Sequence, residues 1–152
     1  MKIHQEIIIA ANADEISALF WNIKAWNNIW MPIQTIEMLY EDDNHQEMIM
    51  KVDRDGKMES NRTIRFRHHV SGEIAFFSPT PPPMMSYHKG FWRFVANGKQ
   101  TKIISERDYS LTRIVSESEH EFSGRQQVFS QGFTQRLLNI LTSFKTTLES
   151  KE

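Results

Sequence analysis

Cysteine is absent from the 152-residue chain. Disulfide frameworks, thiolate catalysis and cysteine-ligated zinc or iron–sulfur centres are excluded with it. An excess of one charge is also missing: 18 Lys plus Arg stand against 19 Asp plus Glu, a formal net charge of -1. Proteins that bind nucleic acid or anionic membranes usually carry a basic excess, so neither partner is expected. No apolar run approaches the ~18 residues of a membrane-spanning helix. The first residues, Met1 to Glu6, turn polar before the apolar core of a signal peptide can form. The expectation is a single cytoplasmic domain over 1–152. The G-x-S-x-G, G-x-G-x-x-G, Walker and H-E-x-x-H signatures are absent too. His68-His69 is adjacent in an expected strand, which sends the rings to opposite faces and prevents a shared metal. Asp53-Arg54-Asp55-Gly56 begins like a calcium loop but has no Glu at the twelfth position, and a hairpin explains it better. Asn61-Arg62-Thr63 spells a glycosylation sequon in a chain that nothing sends outside.

What the chain has is aromatic mass and regular punctuation. Ten Phe and four Trp are present, and Trp21, Trp26 and Trp30 fall within ten residues. Asp55-Gly56, Ser71-Gly72 and Asn97-Gly98 separate strand-like runs, as tight hairpins require, and Glu41 to Asn44 is a glycine-free turn. The implied strands are 2–9, 34–40, 45–52, 57–70, 73–78, 86–95 and 100–111, of which six are consecutive and form an antiparallel meander. A helix starts at Asn12, with Asp14 and Glu15 in its first turn and Ile16, Leu19, Phe20 and Ile23 on one face. A short second helix or turn covers 26–30. A last helix runs over 124–148, with Phe129, Phe133, Leu137, Ile140, Leu141, Phe144 and Leu148 as its apolar stripe. One helix cannot touch seven flat strands, so the sheet must curl around it and leave a cavity.

Strand parity then nominates residues. On 57–70 the even positions include Ile64 and Phe66, so that face is expected inward, taking Met58, Ser60 and Arg62 with it. A cation on an apolar face is costly unless paired or wet; Arg62 either serves function or escapes to the rim or a carboxylate. On 86–95 the even positions Trp92 and Phe94 bring His88 inward, as a core histidine or as a general acid/base. Gly90 between them would leave room for a ligand. Trp21 and Trp30 read as core, Trp26 as a cavity wall. The segment from Ser78 to Met85 holds four of the five prolines. It reads as a stiff strand connection at the cavity rim, or as a polyproline ligand.

This order of elements resembles the helix-grip fold of the START and birch-pollen-allergen (SRPBCC) superfamily, and within it the polyketide aromatase/cyclases. The matching residues are Ile7 to Ala13 leading into a helix, Lys24-Ala25-Trp26, Ser60-x-Arg62, Ile74-x-Phe76, Pro82-Pro83-Met84, Gly90-x-Trp92-x-Phe94 and Gly98-x-x-Thr101. The resemblance implies an α+β domain: a seven-stranded curved antiparallel sheet around a long C-terminal helix, two short helices after the first strand, and an internal cavity. It further implies regiospecific aldol cyclisation and dehydration of a poly-β-ketone delivered by an acyl carrier protein, by positioning and electrostatic stabilisation with no metal or cofactor required. By similarity Arg62 would polarise a carbonyl or hold an enolate, Ser60 would hold an oxygen or water, and His88 would complete the catalytic set. Arg65 is the rival arginine, since a bulge would reverse the parity. Trp26, Met58, Ile64, Phe66, Phe76, Met84, Trp92, Phe94 and Phe133 would bind substrate. Met58 departs from the aromatic residue often found two before the Ser-x-Arg pair. Lys24, Lys89, Arg93 and Lys99 could form a basic rim for the acidic carrier. The alternative is a non-catalytic carrier of a lipid, quinone or phenol on the same fold.

Overall fold

A computed structural model describes residues 1–150. Strand β1 (Lys2–Ile9) is followed by helix α1 (Ala13–Trp21), a 3-10 turn (Ile23–Ala25) and the short helix α2 (Trp26–Ile29). Six strands follow: β2 (Ile33–Glu41), β3 (His45–Arg54), β4 (Lys57–Arg67), β5 (Ile74–Thr80), β6 (Met85–Asn97) and β7 (Gln100–Leu111). Helix α3 (Glu119–Glu149) closes the chain. The antiparallel sheet has the order β1-β7-β6-β5-β4-β3-β2, so the meander is intact and β1 caps its far end. This is the expected α+β helix-grip architecture, the curved sheet wrapping α3. Among the described residues no helix is long and apolar enough to cross a membrane.

Local chemistry sets the ends. Asn12 caps α1 by accepting the Glu15 N–H at 2.8 Å. Helix α3 starts five residues before the expected Gly124, because Ser118 and Glu121 form a reciprocal capping box. Gly56, at φ 83°, follows Asp55 at φ 52° in the β3–β4 hairpin, a turn that only residues tolerant of the left-handed region can make. Strand β4 ends at Arg67 instead of running to Val70. His68 and His69 therefore lie beyond it, and their rings stack 5.2 Å apart instead of pointing to opposite faces. Strand β5 carries on through Pro79 to Thr80, with a register shift against β4 that spares the ladder a missing N–H.

The core forms where α1 and α2 meet α3 and the sheet. Phe20 stacks on Phe144 with ring centroids 4.0 Å apart, and Trp26 meets both edge-on. Phe94 packs against Phe20 from the sheet side. Every stripe residue expected inward on α3 is buried except Phe129, which is half-buried.

Candidate functional site

Strand β4 is turned the other way from the expectation. Glu59 and Arg65 are buried and Asn61, Thr63 and Arg67 half-buried, whereas Met58 is 54% and Phe66 51% exposed. Ser60 and Arg62 are also on the outer face, where Arg62 meets Glu47 at 3.3 Å. Ile64 shares that face. Phe66, which had suggested an inward face, finds a partner on the outside: it stacks on His45 with ring centroids 4.7 Å apart, and the Tyr40 ring lies against His45 as well. The polar residues go inward because the interior offers them partners and space. Arg62, Ser60, Met58, Ile64 and Phe66 thus do not reach the cavity; the rival Arg65 does. A hydroxyl-x-arginine pair is still present, as Thr63-x-Arg65, three residues along from Ser60-x-Arg62 and so on the opposite, inward face.

Arg65 is 3% exposed. It donates through Nη2 to the carbonyl of Phe20, which also accepts from Trp26 Nε1 at 2.9 Å. That carbonyl belongs to the last turn of α1, where unpaired carbonyls and the helix dipole favour a cation. The guanidinium lies over Trp21 at 5.2 Å and Trp26 at 5.5 Å, while Nη1 has no protein partner. Arg107, from β7, is buried beside it. It lies between Phe76 at 4.4 Å and Trp92 at 4.6 Å, and its Nε is unpartnered. Burial pushes both arginines down to about 9, with Arg107 and Arg67 adding to the effect on Arg65; both stay charged at neutral pH.

Arg107 Nη1 faces His88 Nε2 at 3.4 Å. Burial, helped by the Arg107 charge, pushes the His88 imidazole down to about 3, so the ring is neutral. With Nε2 accepting from Arg107, the ring proton sits on Nδ1. Phe76 and Phe133 meet the imidazole edge-on, at 5.1 and 5.6 Å.

These groups line a cavity of about 140 Å³ between the sheet and α3. Trp26, Trp30, Phe76, Trp92 and Phe133 form its walls, together with Met48, Met50 and Leu137. Polar atoms enter from β4 and β5, where Thr63 Oγ1 donates to Asn61 Oδ1 at 2.9 Å and lies 3.2 Å from Ser78 Oγ. Two more arginines line it: Arg54, paired with Glu59 at 2.9 Å, and Arg136 of α3, over Phe129 and Phe133. Among the described residues no Asp or Glu lines it.

Of the other nominated residues, Trp26, Phe76, His88, Trp92 and Phe133 line the cavity. Phe94 is buried away from it, against Phe20. Met84 is 46% exposed outside the lining, its backbone at φ 78°, and Pro82 takes its place at the wall. Trp30, expected in the core, is a wall residue. Gly90 leaves no room for a ligand. A methyl group there would collide with the Glu106 carbonyl and come within 2.8 Å of the Phe76 ring. Of the four cations expected as a basic rim, two lie beside carboxylates: Arg93 is paired with Glu73, and Lys89 shares a surface groove with Glu73, Glu106 and Asp108. Sequence reasoning missed Arg107 and Arg136. Arg107 had a readable signal, because Ile103, Ser105, Tyr109 and Leu111 share its parity and are buried. Arg136 had none, since it flanks the apolar stripe of α3.

No family model matches the chain, and no curated protein does. Solved structures do. The Zhui aromatase/cyclase from Streptomyces sp. R1128 is 16% identical, with a TM-score of 0.79 over 95% of this chain and 93% of that one. The di-domain ARO/CYC StfQ from the steffimycin biosynthetic pathway is 14% identical, with a TM-score of 0.86 over 99% of this chain; the match spans 51% of StfQ. A START superfamily protein from Mycobacterium smegmatis is 12% identical, with a TM-score of 0.80 over 99% of both chains. At these identities the likeness is one of fold.

Proposed function

We propose that this helix-grip protein is a cofactor-independent cyclase that folds and aromatises a poly-β-ketone. The observation that carries the reading is the pair of buried guanidiniums, Arg65 and Arg107, on a cavity walled by Trp26, Trp92 and Phe76 with hydroxyls at Thr63 and Ser78. Similarity in fold to two aromatase/cyclases supports it. A methylene between two carbonyls loses its proton to water, and the enolate oxygen is held by the guanidiniums, which are preorganised and shielded from solvent. The aromatic walls hold the enolate carbon against the electrophilic carbonyl, so that one C–C bond forms and the alkoxide takes up a proton. Loss of that hydroxyl as water, followed by enolisation, completes the ring. His88, pushed down to about 3, is a poor base; it acts as a neutral Nδ1–H donor to a substrate oxygen.

The START-type neighbour shares the fold without implying this chemistry, and a neutral hydrophobic ligand is the competing occupant. Arg107 argues against it, because a neutral lipid would leave this buried cation of the lining without a counter-charge. The test is product profiling. The protein, its Arg65→Lys and Arg65→Met variants and the outer-face Arg62→Ala variant are added to a minimal polyketide synthase making an unreduced chain. Circular dichroism checks that each is folded. The wild type and Arg62→Ala should convert shunt products into one aromatic compound. Arg65→Met should lose about 100-fold in rate, the order expected for removing one oxyanion donor. Unchanged shunt profiles with synthases of several chain lengths would reject the cyclase in favour of a ligand carrier.

A further inference from the structure

Among the described residues, the charges around the cavity do not balance. Four guanidiniums line it and no carboxylate does. Arg54 is neutralised by Glu59, and Arg65 rests on the carbonyl end of α1. Arg107 has neither kind of support: its neighbours are two aromatic faces and a neutral imidazole. Arg136, on the α3 side of the same cavity, has its Nη2 buried without a hydrogen-bond partner. A buried cation without a counter-charge is unfavourable, and no carboxylate lines the space to neutralise this one; the aromatic faces and the His88 hydrogen bond carry no negative charge. The missing partner belongs to whatever fills the space. The space is small. At about 140 Å³ it matches the roughly 150 Å³ cavity that accepts one benzene ring.

Resting on the cyclase reading, we propose that the group held against Arg107 is a one-ring anion. It is a single six-membered carbocycle, or the chain segment about to close into one, bearing its charge as a carboxylate or as the enolate of a β-diketone. The guanidiniums of Arg107 and Arg65, which both line the cavity, receive it. The ring lies among Trp26, Phe76 and Trp92. Any further length of a longer chain stays outside this space, past Pro82. The cavity therefore selects for the first ring closed, and a fused multi-ring product is too large for it.

Binding, not turnover, tests this. The full chain is titrated at pH 7.5 and low salt with benzoate against benzamide, and with 1,3-cyclohexanedione, an enolate at that pH, against cyclohexanone. Tryptophan fluorescence reads occupancy, since Trp26, Trp30 and Trp92 line the cavity. At least one anion should bind ten-fold or more tightly than its neutral partner, and which one does identifies carboxylate or enolate recognition. Arg107→Met should abolish the preference and Arg62→Met should keep it, while 9-anthroate should bind at least ten-fold more weakly than benzoate. Equal binding of anion and neutral partner, a preference that survives Arg107→Met, tight binding of 9-anthroate, or no saturable binding of either anion would overturn the proposal. An anion preference without cyclisation in the product assay keeps this inference and rejects the cyclase; cyclisation without the preference does the reverse.

Discussion

Arg107 is a residue whose presence costs stability. Its guanidinium is buried between Phe76 and Trp92 with no carboxylate beside it. Replacing a buried charge by an apolar side chain of similar length often stabilises a protein by about 1–4 kcal/mol. Arg107→Met should therefore raise the unfolding free energy by about 1–3 kcal/mol in urea titrations, even as it removes the anion site. A loss of stability would mean that the His88 hydrogen bond and the two aromatic faces outweigh the cost of burying the charge. Arg62 makes the opposite case. Its ion pair with Glu47 is on the surface, where such pairs contribute at most about 1 kcal/mol. The alternation of residues in β4 was legible, but which face turned inward was not. Phe66 satisfies an exterior aromatic cluster as readily as it would a core.

At the scale of the element, β6 and α3 determine where the cavity walls stand. Gly90 lets the Phe76 ring and the β7 backbone close over β6, so Gly90→Ala must push either the sheet or the ring aside. A loss of about 2–3 kcal/mol, typical of overpacking, is expected in thermal and urea unfolding. Ser118→Ala should cost only about 1 kcal/mol, because it removes one half of the α3 capping box and touches no wall. If the two losses were equal, Gly90 would not be the point of close approach. The Ser118-x-x-Glu121 signature was legible in the chain, and it explains why α3 begins before Gly124.

For the whole molecule, His88 couples the cavity to acid stability. The unfolded chain takes up a proton on this residue near pH 6.5, while the folded protein does not until about 3. The stabilising contribution is full above pH 6.5 and is lost progressively as the pH falls towards 3. In the window from pH 6.5 to 5, before most carboxylates titrate, the slope from this group approaches about 1.4 kcal/mol per pH unit. His4 works in the opposite sense, since its hydrogen bonds to the carboxylates of Glu106 and then Glu6 raise it. Urea unfolding of the wild type and of His88→Gln across this window isolates the effect. The variant should lose that part of the slope, and an unchanged slope would mean that His88 is solvated.

Sequence alone determined the meander, the three helices and the stripe on α3, because glycine turns, caps and periodicity are local and each element carries its own signal. It also placed His88 and Trp92 inward by strand parity and Phe133 inward by the stripe on α3, whereas Trp26 was nominated by its position after α1 and Phe76 by the family resemblance alone. Only the tertiary structure decided which arginines share that interior. Arg65 and Arg107 come from strands β4 and β7, which are not neighbours in the sheet, and they converge because the sheet curls around α3. Alternation cannot rank two faces when both carry apolar residues. The choice rests on what lies across the cavity: the carbonyl end of α1, two tryptophan faces and a neutral histidine.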